Sequence, residues 1–396
     1  MGDNTIYRAS TTAPVNIAVI KYWGKRDAKL NLPTNSSLSV TLSQDDLRTH
    51  TTASCSSTFS GPDTLLLNGS PQDVSGARTQ ACFKALRGLR AELETANPSL
   101  PKLSTYPLRI VSSNNFPTAA GLASSASGFA ALVRAIANLY ELHSSPTALS
   151  QIARQGSGSA CRSLFGGYVA WDQGSAADGS DSLAREVAPA SHWPEMRALV
   201  LVVSAAKKGV SSTTGMQTTV ATSALFRARA EDVVPKRMAE MERAIAERDF
   251  DAFARLTMRD SNNFHAVCLD TEPPIFYLND VSRAAIRLVE CINAAAGKAV
   301  AAYTFDAGPN AVIYFLEQNA GLVAGTFKTF LGHLDGWQTE LGNKLAGQAG
   351  VAADALEQKS VDVVKDGVSR VILTSVGQGP VKTDESLIDE KGEPVV

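Results

Sequence analysis

The hydrophobic pattern of the chain changes near residue 120 from that of a strand to that of a helix. Before this point, Leu108, Ile110 and Val111 form a short apolar run. After it, apolar residues recur at steps of three and four positions: Phe129, Leu132, Val133, Ile136, Leu139 and Tyr140. This spacing predicts an amphipathic helix that directly follows a strand.

The same reasoning predicts further elements on both sides. Residues 15–19 alternate in the manner of a strand, and residues 197–204 form a continuous apolar run typical of a strand buried on both faces. Residues 76–96 are predicted to form a helix. Another helix is predicted to begin at Pro146, because proline is favoured in the first helical turn.

Two longer segments are predicted from composition as well as periodicity. Residues 34–60 are rich in Thr and Ser with alternating apolar positions, which predicts an antiparallel hairpin around residues 44–46. Residues 216–263 are mostly helical in pattern, and Pro235 is expected to interrupt or kink this run.

A turn near the C-terminus places a carboxylate at a strand end. Apolar runs flank residues 306–310, Asp-Ala-Gly-Pro-Asn, so Asp306 follows a predicted strand directly. Aspartate in such a turn often bonds to its own backbone. The turn by itself therefore leaves open whether Asp306 shapes the chain or performs chemistry.

Length and composition indicate a globular protein with two domains. The 396 residues exceed the usual single-domain size, and 44% hydrophobic with 19% charged residues is ordinary globular composition. An acidic stretch of small residues, 172–186, marks the predicted boundary. The predicted domains are residues 1–190 and 191–396.

Charge and cysteine usage limit the class of partner. The 37 basic and 39 acidic residues give a net charge of -2, so no overall field favours nucleic acid or a membrane. The five cysteines are odd in number and include no Cys-x-x-Cys pair, which argues against a disulfide framework. Without an apolar run of membrane-spanning or secretory type, the chain is predicted to be cytoplasmic.

The segment before the central helix is predicted to bind phosphate. Its small residues leave backbone amides free at a helix start, a position that favours anions, and its hydroxyls can reach phosphate oxygens or a bound Mg²⁺. The same composition also suits a tight turn with close helix packing. The small residues include Gly121 and Ala123, and the hydroxyls are those of Ser124, Ser125 and Ser127.

Two other polar groups suit an anionic ligand. Lys21, Lys25, Arg26 and Lys29 follow the first strand, and either bind a polyanion or form a solvated loop.

Farther along, Ser157, Ser159 and Arg162 lie in a glycine-rich stretch where hydroxyls can approach a ligand closely. The planar guanidinium matches a carboxylate or phosphate, although a helix terminus with a surface arginine is the commoner arrangement.

These motifs together resemble one family. The order Pro117, then Gly121-Leu-Ala-Ser-Ser-Ala126, resembles the phosphate-binding signature of the GHMP kinases, whose usual N-terminal Gly-Glu-His is replaced here by Asn16-Ile-Ala-Val-Ile-Lys-Tyr-Trp-Gly-Lys25. That replacement, and the Thr-x-Asp-Ala-Gly-Pro-Asn motif at 304–310, are similar to the mevalonate diphosphate decarboxylases, and most of all to the fungal ones.

The resemblance implies a fold and a reaction. The fold is α+β of GHMP kinase type, with a mixed sheet in the N-terminal domain and an antiparallel sheet plus helices in the C-terminal domain. The reaction is ATP-dependent decarboxylation of mevalonate 5-diphosphate to isopentenyl diphosphate, with Mg²⁺, in isoprenoid and sterol biosynthesis. A homodimer is also expected. The alternatives are a GHMP small-molecule kinase, such as a phosphomevalonate kinase, and a non-catalytic nucleotide-binding sensor.

Site roles follow from the same resemblance. Asp306 is the expected catalytic carboxylate, and Arg162 with Asn16 is expected to hold the substrate carboxylate. Lys21 is also expected to be catalytic. The cofactor-binding residues implied by the phosphate-binding signature are Pro117, Gly121, Leu122, Ala123, Ser124, Ser125 and Ser127. The expected ligands of the substrate diphosphate are Lys21, Tyr22, Lys25, Ser157, Ser159 and Ser212. Bacterial members carry arginine where this chain has Thr213, the metal ligands stay open, and His265 is expected to serve packing.

Overall fold

A computed structural model of the chain describes residues 5–116, 124–203, 209–345, 348 and 350–395. The strands are β1 (Tyr7–Pro14), β2 (Asn16–Ile20), β3 (Lys25–Asp27), β4 (Leu32–Pro33), β5 (Ser37–Thr41), β6 (Arg48–Cys55), β7 (Thr64–Leu67), β8 (Ser70–Gln72), β9 (Leu108–Asn114), β10 (Tyr168–Trp171), β11 (Ala184–Ala188), β12 (Met196–Val202), β13 (Ala301–Phe305), β14 (Ala311–Leu316), β15 (Arg370–Ser375) and β16 (Val381–Thr383). The α-helices are α1 (Ala77–Ala96), α2 (Ser124–Leu139), α3 (Pro146–Gly156), α4 (Ser212–Thr222), α5 (Ala224–Ala228), α6 (Val234–Glu247), α7 (Phe250–Leu269), α8 (Asp280–Ala296), α9 (Thr326–Leu331), α10 (Glu340–Lys344) and α11 (Gln358–Gly367).

The described part of the N-terminal half contains two main sheets and the short two-stranded sheet β3-β4. The larger has the order β16-β1-β6-β9-β7-β8, and β7 runs parallel to β9 whereas the other pairs are antiparallel. Its apolar face packs against α1, α2 and α3. The smaller sheet has the order β11-β10-β5-β2, so β2 lies at its edge. The predicted strand-to-helix change around residue 120 is thus β9 followed by α2.

The C-terminal half is built on an antiparallel sheet of order β13-β14-β12-β15. One face of this sheet packs with α6, α7 and the β2-β5-β10 sheet in a single core, and the other face packs with α8, α9 and α11. Because β12 lies inside the sheet with helices on both sides, its continuous apolar run is explained. Mixed N-terminal and antiparallel C-terminal sheets are those expected from the sequence.

The predicted hairpin over residues 34–60 is wrong. Two strands do form there, but β5 pairs with β2 and β10, whereas β6 pairs with β1 and β9 in the other sheet. Nearly every residue of both strands is buried, so the alternation that suggested a two-strand ribbon gave no information about which strands would be neighbours.

The predicted helices agree better with the structure. α1 matches the expected helix, and α3 begins at Pro146, with the side chain of Ser145 accepting from the Ala148 amide as its N-cap. The long helical run is interrupted near Pro235, as expected: the π-helical turn Arg229–Val233 ends just before α6, and Pro235 lies in the first turn of that helix. Among the described residues, no helix combines the length and apolar character needed to cross a membrane.

Candidate functional site

A cavity of about 430 Å³ collects most of the predicted site residues from both halves of the chain. Its size is within the range of small-molecule sites. The predicted residues on its wall are Asn16, Lys21, Tyr22, Lys25, Ser125, Ser157, Ser159, Arg162, Ser212 and Asp306. They come from the start of β2, the residues between β2 and β3, the start of β3, the start of α2, the segment after α3, the start of α4 and the turn between β13 and β14.

An ion pair lies at the centre of this wall. The Lys21 Nζ is 2.7 Å from Asp306 Oδ1, with the lysine side chain 3% and the aspartate side chain 25% exposed. Burial lowers the pKa of Lys21, and the adjacent Asp306 carboxylate opposes that shift. Lys21 is therefore not part of a solvated loop, and the Asp306 side chain is committed to an ion pair rather than to its own turn.

Arg162 is a buried cation with neutral partners. Its Nε donates to Ser39 Oγ at 3.0 Å and to Asn16 Oδ1 at 3.3 Å, and its Nη1 donates to Ser37 Oγ. Among the residues that the structure describes, Arg162 forms no ion pair, and burial lowers its pKa. A guanidinium removed from water without a counter-ion favours an anionic ligand, which excludes the interpretation as a surface arginine.

Asn16 connects Arg162 to the segment that carries the serines. Its amide nitrogen donates to Ser163 Oγ at 2.7 Å and to the Ser159 carbonyl at 3.1 Å. The side chain therefore orients the arginine and the serine segment at once.

Three hydroxyls line the side of the cavity next to α2. Ser157 Oγ lies 3.2 Å from Ser125 Oγ and 3.5 Å from Ser159 Oγ. Hydroxyls in such a row can donate to the oxygens of a phosphate group. Ser212 is the first residue of α4 and faces the same cavity, where the start of a helix favours an anion.

Tyr22 presents a buried hydroxyl without a partner among the described residues. Burial raises its pKa, so it stays protonated and can donate. A Cβ added at Gly158 would lie 2.9 Å from the Tyr22 ring and 3.0 Å from Trp171, which explains the glycine at this position. A ligand oxygen would satisfy this hydroxyl.

Arg78 is a site residue that sequence reasoning missed. It lies in the first turn of α1, lines the cavity, and donates to Thr213 Oγ1 at 3.3 Å. Burial, and then the Arg78 charge, lower the pKa of Lys25 to about 8. No motif surrounds Arg78, so only its place in the fold reveals it.

Four of the predicted phosphate-loop residues, Pro117, Gly121, Leu122 and Ala123, lie outside the described residues. Ser127 does not face the cavity: it is fully buried, accepts from Thr49 Oγ1 at 2.8 Å and donates to the Ser124 carbonyl. The hydroxyl of Ser127 thus fixes α2 to the sheet, and we leave this residue out of the ligand site.

His265 packs between aromatic rings as expected. It lies 4.6 Å from the Phe264 ring and 6.3 Å from that of Phe305, centroid to centroid. Burial lowers its pKa to about 3, so the ring is neutral and a poor base. Among the described residues, no group of three His, Cys, Asp or Glu side chains is arranged to hold a metal ion.

Comparison with known proteins agrees with the fold. The model of the diphosphomevalonate decarboxylase-like N-terminal domain matches residues 13–184, and that of the mevalonate 5-diphosphate decarboxylase C-terminal domain matches residues 198–383. The chain is 68% identical to the diphosphomevalonate decarboxylase of Gibberella zeae, over 98% of this chain and 100% of that one. It is 58% identical to the enzyme of Saccharomyces cerevisiae, over 98% of both.

Solved structures give the same result. A crystal structure of mevalonate 5-diphosphate decarboxylase superposes with a TM-score of 0.90 at 56% identity, over 98% of this chain and 100% of that one. MDDEF in complex with MVAPP, AMPPCP and magnesium superposes with a TM-score of 0.74 at 30% identity, over 96% of this chain and 100% of that one. The fold is thus of GHMP type, as expected. More particularly, the chain belongs to the diphosphomevalonate decarboxylase family, which confirms the resemblance to fungal members.

Proposed function

We propose that this chain catalyses ATP-dependent decarboxylation of mevalonate 5-diphosphate to isopentenyl diphosphate, with release of ADP, phosphate and CO2. The observation that carries the proposal is the Lys21–Asp306 pair beside the buried Arg162 in one cavity. A carboxylate that can take a proton and a cation that can hold a carboxylate are the two groups this reaction needs. Family membership supports the same conclusion.

The chemistry proceeds in two steps. Asp306 accepts the proton of the tertiary 3-hydroxyl, whose oxygen attacks the γ-phosphorus of ATP and displaces ADP. The carbon–oxygen bond to the new phosphate then breaks, with its electron pair leaving on the phosphate. The bond between the carboxylate carbon and the neighbouring carbon breaks as well, its electron pair forms the alkene between that carbon and the one that lost phosphate, and CO2 departs.

Arg162 and Asn16 have a positioning role in this scheme. The substrate carboxylate would supply the counter-charge that Arg162 lacks, and Asn16 fixes the guanidinium plane by accepting from its Nε at 3.3 Å. A carboxylate held in this way is aligned for elimination from the neighbouring carbon. Lys21 orients the Asp306 carboxylate through their contact of 2.7 Å.

The substrate diphosphate would lie along the hydroxyl and cation wall. Its ligands in this proposal are Tyr22, Lys25, Arg78, Ser157, Ser159 and Ser212. The unpartnered Tyr22 hydroxyl and the adjacent Lys25 and Arg78 charges are features that a diphosphate would satisfy.

ATP and Mg²⁺ would bind next to the start of α2. Ser124 and Ser125 lie in the first turn of that helix, and serine hydroxyls together with phosphate oxygens are suitable Mg²⁺ partners. A bound Mg²⁺ would reduce the repulsion between the ATP phosphates and an incoming oxygen. Pro117, Gly121, Leu122 and Ala123 complete this proposed nucleotide site.

The test is a stoichiometry measurement. Purified protein is incubated with Mg-ATP and mevalonate 5-diphosphate, and ADP, inorganic phosphate and CO2 are measured together. Equal amounts of all three are expected. ADP without CO2 would indicate a kinase, and ligand binding without turnover would indicate a sensor.

Two further expectations accompany the proposal. The cytoplasmic location is expected from the cysteine usage and apolar pattern of the sequence, and the homodimer is expected from the family resemblance. Fractionation of cells and analytical ultracentrifugation of the purified chain would test them.

A further inference from the structure

A buried ion pair lies directly behind the Lys21–Asp306 pair. Asp260 belongs to α7, and Arg229 begins the π-helical turn Arg229–Val233 between α5 and α6. Arg229 Nη1 is 2.9 Å from Asp260 Oδ1, Nη2 is 3.0 Å from Oδ2, and both side chains are fully shielded from solvent. Such a bidentate contact holds the guanidinium and the carboxylate in one plane.

This pair binds both backbone polar groups of Lys21, its N–H and its carbonyl. The Lys21 amide donates to Asp260 Oδ2 at 2.7 Å, and the Lys21 carbonyl accepts from Arg229 Nη2 at 3.0 Å. The side-chain amide of Asn35 also donates to that carbonyl at 3.0 Å. Strand β2 ends one residue earlier, at Ile20, so these side chains satisfy polar groups that lie past the end of the strand.

The residue after Asp260 holds the other catalytic partner. Ser261 Oγ accepts from the amide of Phe305 at 3.2 Å, and Phe305 directly precedes Asp306. Two consecutive residues of α7 therefore bond to the backbone of Lys21 and to the backbone beside Asp306. Because Asp260 and Ser261 are adjacent in one helix, these two bonds fix the positions of Lys21 and Asp306 relative to each other.

We propose that α7 is the positioning element of the active site: the Asp260–Arg229 pair and Ser261 set the Lys21 ammonium against the Asp306 carboxylate. Neither Asp260 nor Arg229 reaches the substrate in this arrangement, so both act through Lys21. The inference rests on the proposed function only for the roles of Lys21 and Asp306.

Charge reinforces the geometry. The charged groups that influence the pKa of Lys21 are Asp306, Asp260 and Arg162. Arg229 and Arg237 in turn lower the pKa of Asp260, and the charge of Lys21 contributes to the lowered pKa of His265. Burial lowers the pKa of Lys21, whereas the carboxylates of Asp306 and Asp260 raise it. Neutralising Asp260 should therefore lower the pKa of Lys21, in addition to loosening its peptide.

The test compares Asp260→Asn with Arg237→Gln. Arg237 Nη1 donates to the same carboxylate at 3.0 Å but does not contact Lys21. For Asp260→Asn we expect kcat to fall by about ten- to a hundredfold, since small misplacements at a reacting centre are costly. The KM values for both substrates should stay within about threefold of wild type. In the pH profile of kcat, the decrease on the alkaline side (the alkaline limb) should move to lower pH. Arg237→Gln should keep the wild-type kcat and limb.

Two results would overturn the inference: an unchanged kcat and alkaline limb in Asp260→Asn, or an equal loss of kcat in Arg237→Gln. If Asp260→Asn does not fold, Ser261→Ala replaces it, because it removes one bond beside Asp306 and leaves the ion pair intact. A loss of kcat of about three- to tenfold at constant KM is then expected, and an unchanged kcat refutes the proposal.

Lys21→Met separates this inference from the proposed function. If Lys21→Met retains full kcat, the proposed role of Lys21 is wrong. If Lys21→Met loses kcat while Asp260→Asn and Ser261→Ala retain it, the role of Lys21 stands and only the role of α7 fails.

Discussion

The Lys21 ammonium lies 2.7 Å from the Asp306 carboxylate although the two residues are 285 positions apart in the chain. Lys21 directly follows β2, the edge strand of an N-terminal sheet, and Asp306 directly follows β13 of the C-terminal sheet. Because Lys21 is buried, this pair is screened little by solvent. The chemistry therefore depends on how the two halves of the chain meet.

The first prediction concerns the proposed base. Asp306→Asn keeps the size of the side chain but cannot take a proton, so kcat should fall by about a hundred- to ten-thousandfold. Calorimetry should still detect binding of mevalonate 5-diphosphate. Asp354→Asn, at an exposed site, serves as the control and should behave as wild type. Near-normal turnover in Asp306→Asn would remove Asp306 from the mechanism.

The second prediction concerns Arg162. A lysine cannot reproduce bonds from both Nε and Nη1, so Arg162→Lys should lower kcat/KM for mevalonate 5-diphosphate by about a hundredfold or more. The KM for ATP should change little. Arg227→Gln removes an exposed arginine on α5 and provides the matched control. An equal effect on both substrates would argue against carboxylate recognition by Arg162.

The third prediction is a pH dependence. Burial and the Arg78 charge lower the pKa of Lys25 to about 8, so the free enzyme loses this positive charge as the pH rises through that value. The kcat/KM for mevalonate 5-diphosphate should then decrease above about pH 8, because the diphosphate loses a cationic partner. In Lys25→Arg this alkaline limb of the kcat/KM profile should disappear, since arginine stays charged. Persistence of the limb would assign it to another group.

The fourth prediction concerns Arg78, which sequence motifs do not indicate. Arg78→Gln should raise the KM for mevalonate 5-diphosphate by about tenfold, the loss expected for a charge-assisted contact. It should also move the Lys25 limb to higher pH, because Arg78 contributes to the lowered pKa of Lys25. Arg283→Gln, which changes an exposed arginine on α8, should alter neither quantity. A wild-type KM would place Arg78 outside the substrate site.

The fifth prediction concerns Gly158. An added Cβ would come within 2.9 Å of Tyr22 and 3.0 Å of Trp171, so Gly158→Ala should lower the free energy of unfolding by about 1–3 kcal/mol. Urea unfolding measures this change. Gly88→Ala is the control, because that glycine lies within α1 with open space at its Cβ, and it should raise stability by about 0.5–1 kcal/mol.

Several parts of this protein were determined by local sequence. The helices α1 and α3, the buried strand β12 and the turn at residues 306–310 follow from periodicity, proline positions and turn residues, which act over a few neighbouring positions. The motifs at 16–25 and 304–310 also identified the family, because each is a particular order of residues along the chain.

Tertiary structure decided what depends on contacts between distant positions. Strands β5 and β6 follow each other in the chain yet belong to different sheets, because strand neighbours are chosen by packing across the whole core rather than by the intervening turn. Arg78, Arg229, Asp260 and Ser261 carry no motif, and their partners are far away in sequence. A buried charge is tolerated only where folding brings a counter-charge or ligand to it, and residue spacing alone does not specify that meeting.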